Sequence, residues 1–194
     1  MIHRLDLSDS AIWKQRFRAT SILSARTATL NPDRGIVVTN RDGVYQLYAW
    51  EVKTGGLRQI TSQPAGVTTG MLSEDGEYIY YHHDTGGNEI GHYVRIPFGG
   101  GVAEDITPDM PPYASHGITQ SRDGTTTAFM TAGDGGYRIF LIRLDAPPEE
   151  IFRAERIIRG FQLSTTGDIL VVNSTEHSGS LDAKIVAIDT ATGR

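Results

Sequence analysis

The sequence predicts an all-β chain built as a β-propeller, and three observations carry that reading. One turn pattern recurs four times, the copies are forty-odd residues apart, and the same strand-and-turn order follows each copy. The four copies run Ala28–Val38, Gly70–Tyr80, Gly117–Met130 and Gly160–Val172. Their glycines, Gly35, Gly76, Gly124 and Gly167, are separated by 41, 48 and 43 residues. A repeat of about 40–45 residues is the length of a four-stranded propeller blade.

Each turn has a physical reading. Asn31, Ser73, Ser121 or Ser164 opens it, with a short polar side chain able to bond the backbone two residues on. An aspartate stands one or two residues ahead of the glycine in three of the four copies. The glycine is assigned the positive φ that a tight hairpin needs. An apolar run rich in Ile, Val, Tyr and Phe follows as a strand.

The next elements match as well. A second strand is expected over 45–50, 91–98, 137–144 and 184–189, and a turn after each at Thr54-Gly55-Gly56, Gly99-Gly100-Gly101, Ala146-Pro147-Pro148 and Thr192-Gly193. A short outer strand is expected over 57–60, 103–106 and 149–152. The chain therefore divides into an N-terminal segment, 1–24, and a partial propeller, 25–194, with blades at about 25–62, 67–108, 115–153 and 158–194. Three blades show four strands and the last shows three.

A blade hides its faces only against neighbours. Two arrangements satisfy that. The four blades belong to an incomplete ring within a longer propeller, or residues 11–18 supply the missing strand and close a four-bladed ring.

Composition bounds the function. The chain has 194 residues, 39% hydrophobic and 21% charged, which is ordinary for a folded protein. Net charge is −5, and the densest basic stretch is only Lys14-Gln15-Arg16-Phe17-Arg18, so no nucleic-acid surface is expected. There is no cysteine, hence no disulfide and no thiolate metal site. No run approaches a membrane span or signal peptide. No membrane contact is expected, and a cytoplasmic location is the default.

The richest polar cluster is His82-His83-Asp84-Thr85-Gly86-Gly87-Asn88-Glu89-Ile90-Gly91-His92 in blade two. The simplest reading is a structured loop, with Asp84 bonding backbone amides. A second is a contact with another domain or a substrate end, through Asp84, Asn88 and Glu89, with His92 and Arg95 on the following strand. A metal site is disfavoured, because adjacent His82 and His83 point to opposite sheet faces. Arg95 is expected to pair with a nearby carboxylate. Asp134-Gly135-Gly136 reads as a hairpin turn, and Gly99-Gly100-Gly101 as a turn rather than a phosphate loop. Pro108, Pro111 and Pro112 read as a stiff inter-blade connector.

Gln46-Leu47-Tyr48-Ala49-Trp50 with Leu57-Arg58-Gln59-Ile60-Thr61, Asp84 to Glu89, Ile106-Thr107-Pro108 and Ser121-Arg122-Asp123-Gly124 resemble the N-terminal β-propeller of the prolyl oligopeptidase family, in its acylaminoacyl-peptidase-like branch. The serine–aspartate–glycine turns also resemble TolB-like propellers. The peptidase resemblance implies a parent serine peptidase acting on short peptides, in which the propeller covers an α/β-hydrolase domain and filters substrates by size. It favours the incomplete ring. The chain itself has no Gly-x-Ser-x-Gly elbow, so no catalytic residue and no cofactor is expected in it. The TolB-like alternative is a free-standing binding module for proteins or ligands.

Overall fold

The computed structural model describes residues 4–144, 146–178 and 180–194. Sixteen strands and one short helix, α1 (Ile12–Arg18), make up its regular structure. Blade one is a four-stranded antiparallel sheet in sequential order: β1 (Ile22–Thr27), β2 (Arg34–Thr39), β3 (Gln46–Glu51) and β4 (Gly56–Gln59). Blade two has β5 (Met71–Leu72), β6 (Tyr78–Asp84), β7 (Ile90–Pro97) and β8 (Glu104–Asp105). A two-residue strand, β9 (Tyr113–Ala114), follows in the connector. Blade three has β10 (Ile118–Gln120), β11 (Thr126–Gly133), β12 (Gly136–Arg143) and β13 (Glu149–Ala154). Blade four has three strands, β14 (Ile158–Leu163), β15 (Ile169–Ser174) and β16 (Lys184–Asp189), in sequential order. The architecture is a partial β-propeller.

The recurring turn is the local device that builds each blade. The fourth residue's amide donates to the first residue's carbonyl in all four copies: Arg34 to Asn31 at 3.0 Å, Gly76 to Ser73 at 2.9 Å, Gly124 to Ser121 at 2.8 Å and Gly167 to Ser164 at 3.1 Å. In blade two the Ser73 hydroxyl donates to Asp75 at 2.6 Å and accepts the Tyr78 amide at 2.9 Å. Blade three repeats this with Ser121, Asp123 and the Thr126 amide. Blade four has Thr166 where the aspartate should be, and Asp168, beyond the glycine, reaches back to the Ser164 hydroxyl instead.

Four expectations need correction. The turn residue of blade one is Arg34, not Gly35. Gly35 lies inside β2 without positive φ, and a Cβ there would meet Trp50 Cε3 at 2.5 Å, so its smallness makes room for the indole. Of residues 11–18, offered as a closing strand, Ile12–Arg18 are helical and Ala11 caps them, so they complete no sheet. β1 begins at Ile22, inside the segment assigned to the N-terminus. The connector after Pro108 is not merely a spacer. Its β9 pairs with β7 (Ile90↔Ala114, Gly91↔Tyr113) and with β11 (Ala132↔Ala114), fusing blades two and three into one nine-stranded sheet. Backbone groups caught between two blade ends find partners on both sides.

Burial follows the pleat. Residues 2 and 4 after the turn's fourth position face the next blade, and residues 3 and 5 face the preceding one. Ile36, Val38, Leu47 and Ala49 of blade one therefore pack with Ile79, Tyr81, Val94 and Ile96 of blade two. Tyr93 and Tyr113 meet Phe129 between blades two and three. Ala128, Met130, Ile139 and Leu141 of blade three pack with Leu163, Leu170, Val172 and Ile188 of blade four. Each fully buried aliphatic side chain contributes about 1.5–3 kcal/mol of transfer free energy. The stack is held by these inter-blade cores.

Candidate functional site

The hairpin joining β6 to β7 is closed by its own polar side chains. Asp84 Oδ2 accepts the Glu89 amide at 2.7 Å. Asn88 Oδ1 accepts the amides of Ile90 at 3.0 Å and Thr85 at 3.3 Å. Gly86 and Gly87 turn the chain with φ of 66° and 84°. Glu89 holds φ 62°, a left-handed conformation that no other non-glycine adopts among the described residues. A side chain held there costs on the order of 1–2 kcal/mol. The Glu89 carboxylate is exposed and forms no hydrogen bond or ion pair with a described residue.

His92 and Arg95 sit on β7 and diverge. His92 Nδ1 lies 2.9 Å from Asp105 Oδ2, and its ring stacks on Tyr113 at 5.6 Å. Arg95 Nε donates to Glu104 Oε2 at 2.7 Å, and its guanidinium lies 4.9 Å from the Tyr78 ring. The Glu104 bond raises the Arg95 pKa, outweighing the partial burial that lowers it. The five candidates thus form three separate groups: a hairpin tip, a His92–Asp105 pair and an Arg95–Glu104 pair.

The His92–Asp105 pair has the look of a catalytic dyad but lacks the geometry. The nearest hydroxyl, Thr107 Oγ1, approaches His92 at Nδ1, 3.4 Å away, on the side Asp105 already occupies. A nucleophile served by this imidazole would have to face Nε2. Thr107 is instead fully buried, with its hydroxyl 3.0 Å from the Tyr113 hydroxyl and its amide on Asp105. Thr61, its counterpart in blade one, is 3% exposed and tied to Gln46 and the Leu47 amide. The isoleucine–threonine endings of the outer strands are therefore structural anchors. Among the described residues, no group of three His, Asp or Glu side chains is placed to hold a metal ion, and no helix is long and apolar enough to cross a membrane.

A second polar concentration lies at the opposite end of the strands, where the four inner turns converge. Thr29, Glu74, Gln120, Arg122, Gln162 and Thr165 line a basin of about 250 Å³. The inner turns are wired together around it. The Leu30 amide donates to the Glu74 carbonyl at 2.8 Å, and the Asp123 amide to the Thr165 carbonyl at 3.2 Å. Gln120 Oε1 accepts the Glu74 amide at 2.9 Å. The sequence did carry a signal for this basin. Gln120 stands where the other three repeats have Leu30, Leu72 and Leu163, and the position after the turn-opening residue varies as Pro32, Glu74, Arg122 and Thr165. A search for chemistry-bearing clusters along the chain passes over it, since its members lie on four different repeats.

This arrangement, antiparallel four-stranded sheets stacked through alternate faces, defines a propeller of the TolB-like kind in its fold. TolB from Acinetobacter baumannii superposes with a TM-score of 0.65 at 17% identity, covering 88% of this chain and 42% of that one. Oligogalacturonate lyase in complex with manganese gives 0.66 at 12% identity, over 88% and 54%. A prolyl endopeptidase structure gives 0.64 at 13% identity, over 87% of this chain and 30% of that one. The chain thus spans about half or less of these structures. No protein-family model matches the sequence, and no curated protein matches it.

Proposed function

We propose that this chain is the non-catalytic propeller portion of a prolyl oligopeptidase-like serine peptidase, where it limits access of peptide substrates and docks against an α/β-hydrolase domain in the cytoplasm. The observation that carries the reading is the open face of blade four. Ile169, Val171 and Ile185 are 42%, 37% and 77% exposed. They lie on the face whose counterparts in blade one, Ile36 and Val38, and in blade three, Ala128 and Met130, are buried under the next blade. A β-branched stripe left in water on a propeller blade is the surface a further blade covers. The superposition on the prolyl endopeptidase supports the same reading, as does the absence of a nucleophile elbow from this chain. Glu89, held in a strained conformation with a free carboxylate, is the docking group on the hairpin side, suited to a guanidinium or ammonium partner.

The test is made on the purified chain. An uncovered blade face makes it self-associate and bind a hydrophobic dye, and Val171→Lys with Ile185→Lys relieves both. A monodisperse, cooperatively unfolding, dye-silent monomer overturns the reading in favour of a free-standing TolB-like binding module. The coding sequence beyond Arg194 gives an independent check. Further blades and a Gly-x-Ser-x-Gly segment are expected there, and an immediate stop codon would count against the proposal.

A further inference from the structure

We propose that the basin between the inner turns binds a small zwitterion of the class of a free-ended dipeptide, with Glu74 taking the ammonium and Arg122 the carboxylate. The inference concerns the turn end of the blades and does not depend on the peptidase reading. It begins with charge. Glu74 and Arg122 line the same basin, yet their charged groups form no ion pair with each other or with any described residue. The neighbouring carboxylates are committed elsewhere. Asp75 accepts from Ser73 and the Glu77 amide, and Asp123 from Ser121 and Thr125. An unpaired anion and an unpaired cation sharing one polar recess suit a ligand that carries both complements.

The repeats argue the same way. Turn-opening serines, aspartates and glycines recur because they build the turn. The position after the opening residue is free to vary, and two of its four occurrences carry opposite charges. Variable positions of a repeat gathered on one face are where such proteins place recognition. Gln120 supplies the independent observation. It is 9% exposed, at an inner-strand position where the other repeats carry leucine. Its amide is fully used: Oε1 takes the Glu74 amide, and Nε2 donates to Gly124 O and Thr127 Oγ1, each at 3.3 Å. The leucine it replaces is buried in blades two and four, as Leu72 and Leu163, and exposed in blade one, as Leu30; a buried polar group there weakens the repeat rule, and here it fixes the backbone of Glu74. Gln120 is a positioning residue for the anionic end. Gln162, whose Nε2 donates to Thr119 Oγ1 at 2.9 Å, lines the same basin and keeps its side-chain carbonyl for a ligand's peptide N–H.

The probe is glycylglycine, titrated into the isotope-labelled chain and followed by amide chemical shifts. Its amidated form lacks the carboxylate, and its N-acetylated form lacks the ammonium. Saturable shifts centred on Glu74, Arg122 and Thr165 are expected, with glycylglycine binding at least about tenfold tighter than either capped form, as the loss of one charge-assisted contact implies. Arg122→Gln should erase the preference over the amidated form, and Glu74→Gln the preference over the acetylated form. Gln120→Leu, which restores the repeat residue, should weaken glycylglycine and its amidated form alike, narrowing the preference over the acetylated form and leaving the preference over the amidated form in place. Both Glu74→Gln and Arg122→Gln alter partly or fully exposed side chains, so an unchanged melting curve accompanies the loss. Equal affinity for all three peptides, or no saturable shift, overturns the proposal.

Discussion

Gly35 lies directly against the indole of Trp50, its cross-strand partner in blade one. A Cβ at Gly35 would sit 2.5 Å from Trp50 Cε3 and 3.0 Å from the Arg26 carbonyl. The backbone there is ordinary extended strand, so the requirement for glycine is volume and not dihedral freedom. Gly35→Ala should destabilise the chain by about 1–3 kcal/mol, the usual cost of overpacking. Adding Trp50→Leu should recover much of that loss. Denaturant midpoints of the single and double variants check it, and a double variant no more stable than Gly35→Ala would place the fault in the backbone.

Gly76 makes the opposite case. It adopts φ 75° at the fourth position of the blade-two turn, and a Cβ would approach Arg34 Cβ at 3.1 Å and Ala28 Cβ at 3.2 Å. Gly76→Val meets both a strained dihedral and close neighbours from blade one, and should cost at least about 2 kcal/mol. Gly124 has the same φ within a degree, but nothing lies near its would-be Cβ. Gly124→Ala should therefore show the dihedral cost alone, on the order of 1 kcal/mol. Equal losses at the two sites would remove the inter-blade contact from the explanation.

Leu170 and Ile169 are consecutive residues on β15 with opposite fates. Leu170 is 0% exposed in the core between blades three and four, and Ile169 is 42% exposed on the open face. Leu170→Ala should cost about 2–5 kcal/mol, and Ile169→Ala only a small fraction of that. Thermal unfolding of the two variants reads the register directly. Comparable losses would mean that the exposed face is covered in solution.

The blade count, the order of strands within each blade and the three-stranded last blade were legible because the turn chemistry repeats and each strand is bounded by it. Register was harder to read. Gly35 attracted the turn assignment in blade one because Arg34, one residue earlier, holds the fourth position without needing positive φ, and no local rule marks that. The N-terminal run around Trp13 has the apolar content of a strand, but Lys14, Gln15, Arg16 and Arg18 break any alternation, and the residues wind into a helix. β9 was invisible, since two residues pairing with two different blades leave no period. The hairpin side chains could be found from spacing, Asp84 to Glu89, because they act within one loop. The basin around Glu74 and Arg122 joins residues from four repeats. It becomes visible in sequence only when the repeats are laid over one another and Gln120 is seen to displace a leucine.

His82 ties the pH response of the fold to the seam between blades two and three. Its Nε2 donates to the Tyr113 carbonyl at 3.0 Å, and its ring meets the edge of Tyr93 at 5.3 Å. Burial, the largest effect, holds its pKa below the ordinary histidine value against the opposing Tyr113 carbonyl, Asp84 and Gly91 backbone, and the nearby His92 adds the smallest push downward. The neutral ring already supplies the hydrogen that Tyr113 accepts, so protonation adds a charge without adding that bond. In the unfolded chain His82 takes up its proton near its ordinary value, and in the folded chain only at lower pH. Both states are neutral well above that value, where the stability is complete. As pH falls from about 6.5 toward the folded value, the unfolded state gains protons first and stability declines. The melting temperature should therefore drop between about pH 7.5 and about pH 5.5. His82→Gln keeps an N–H for Tyr113 and removes the titration, so it should flatten the profile across that window. A variant whose melting temperature falls as steeply as the parent's would move the pH response to another group.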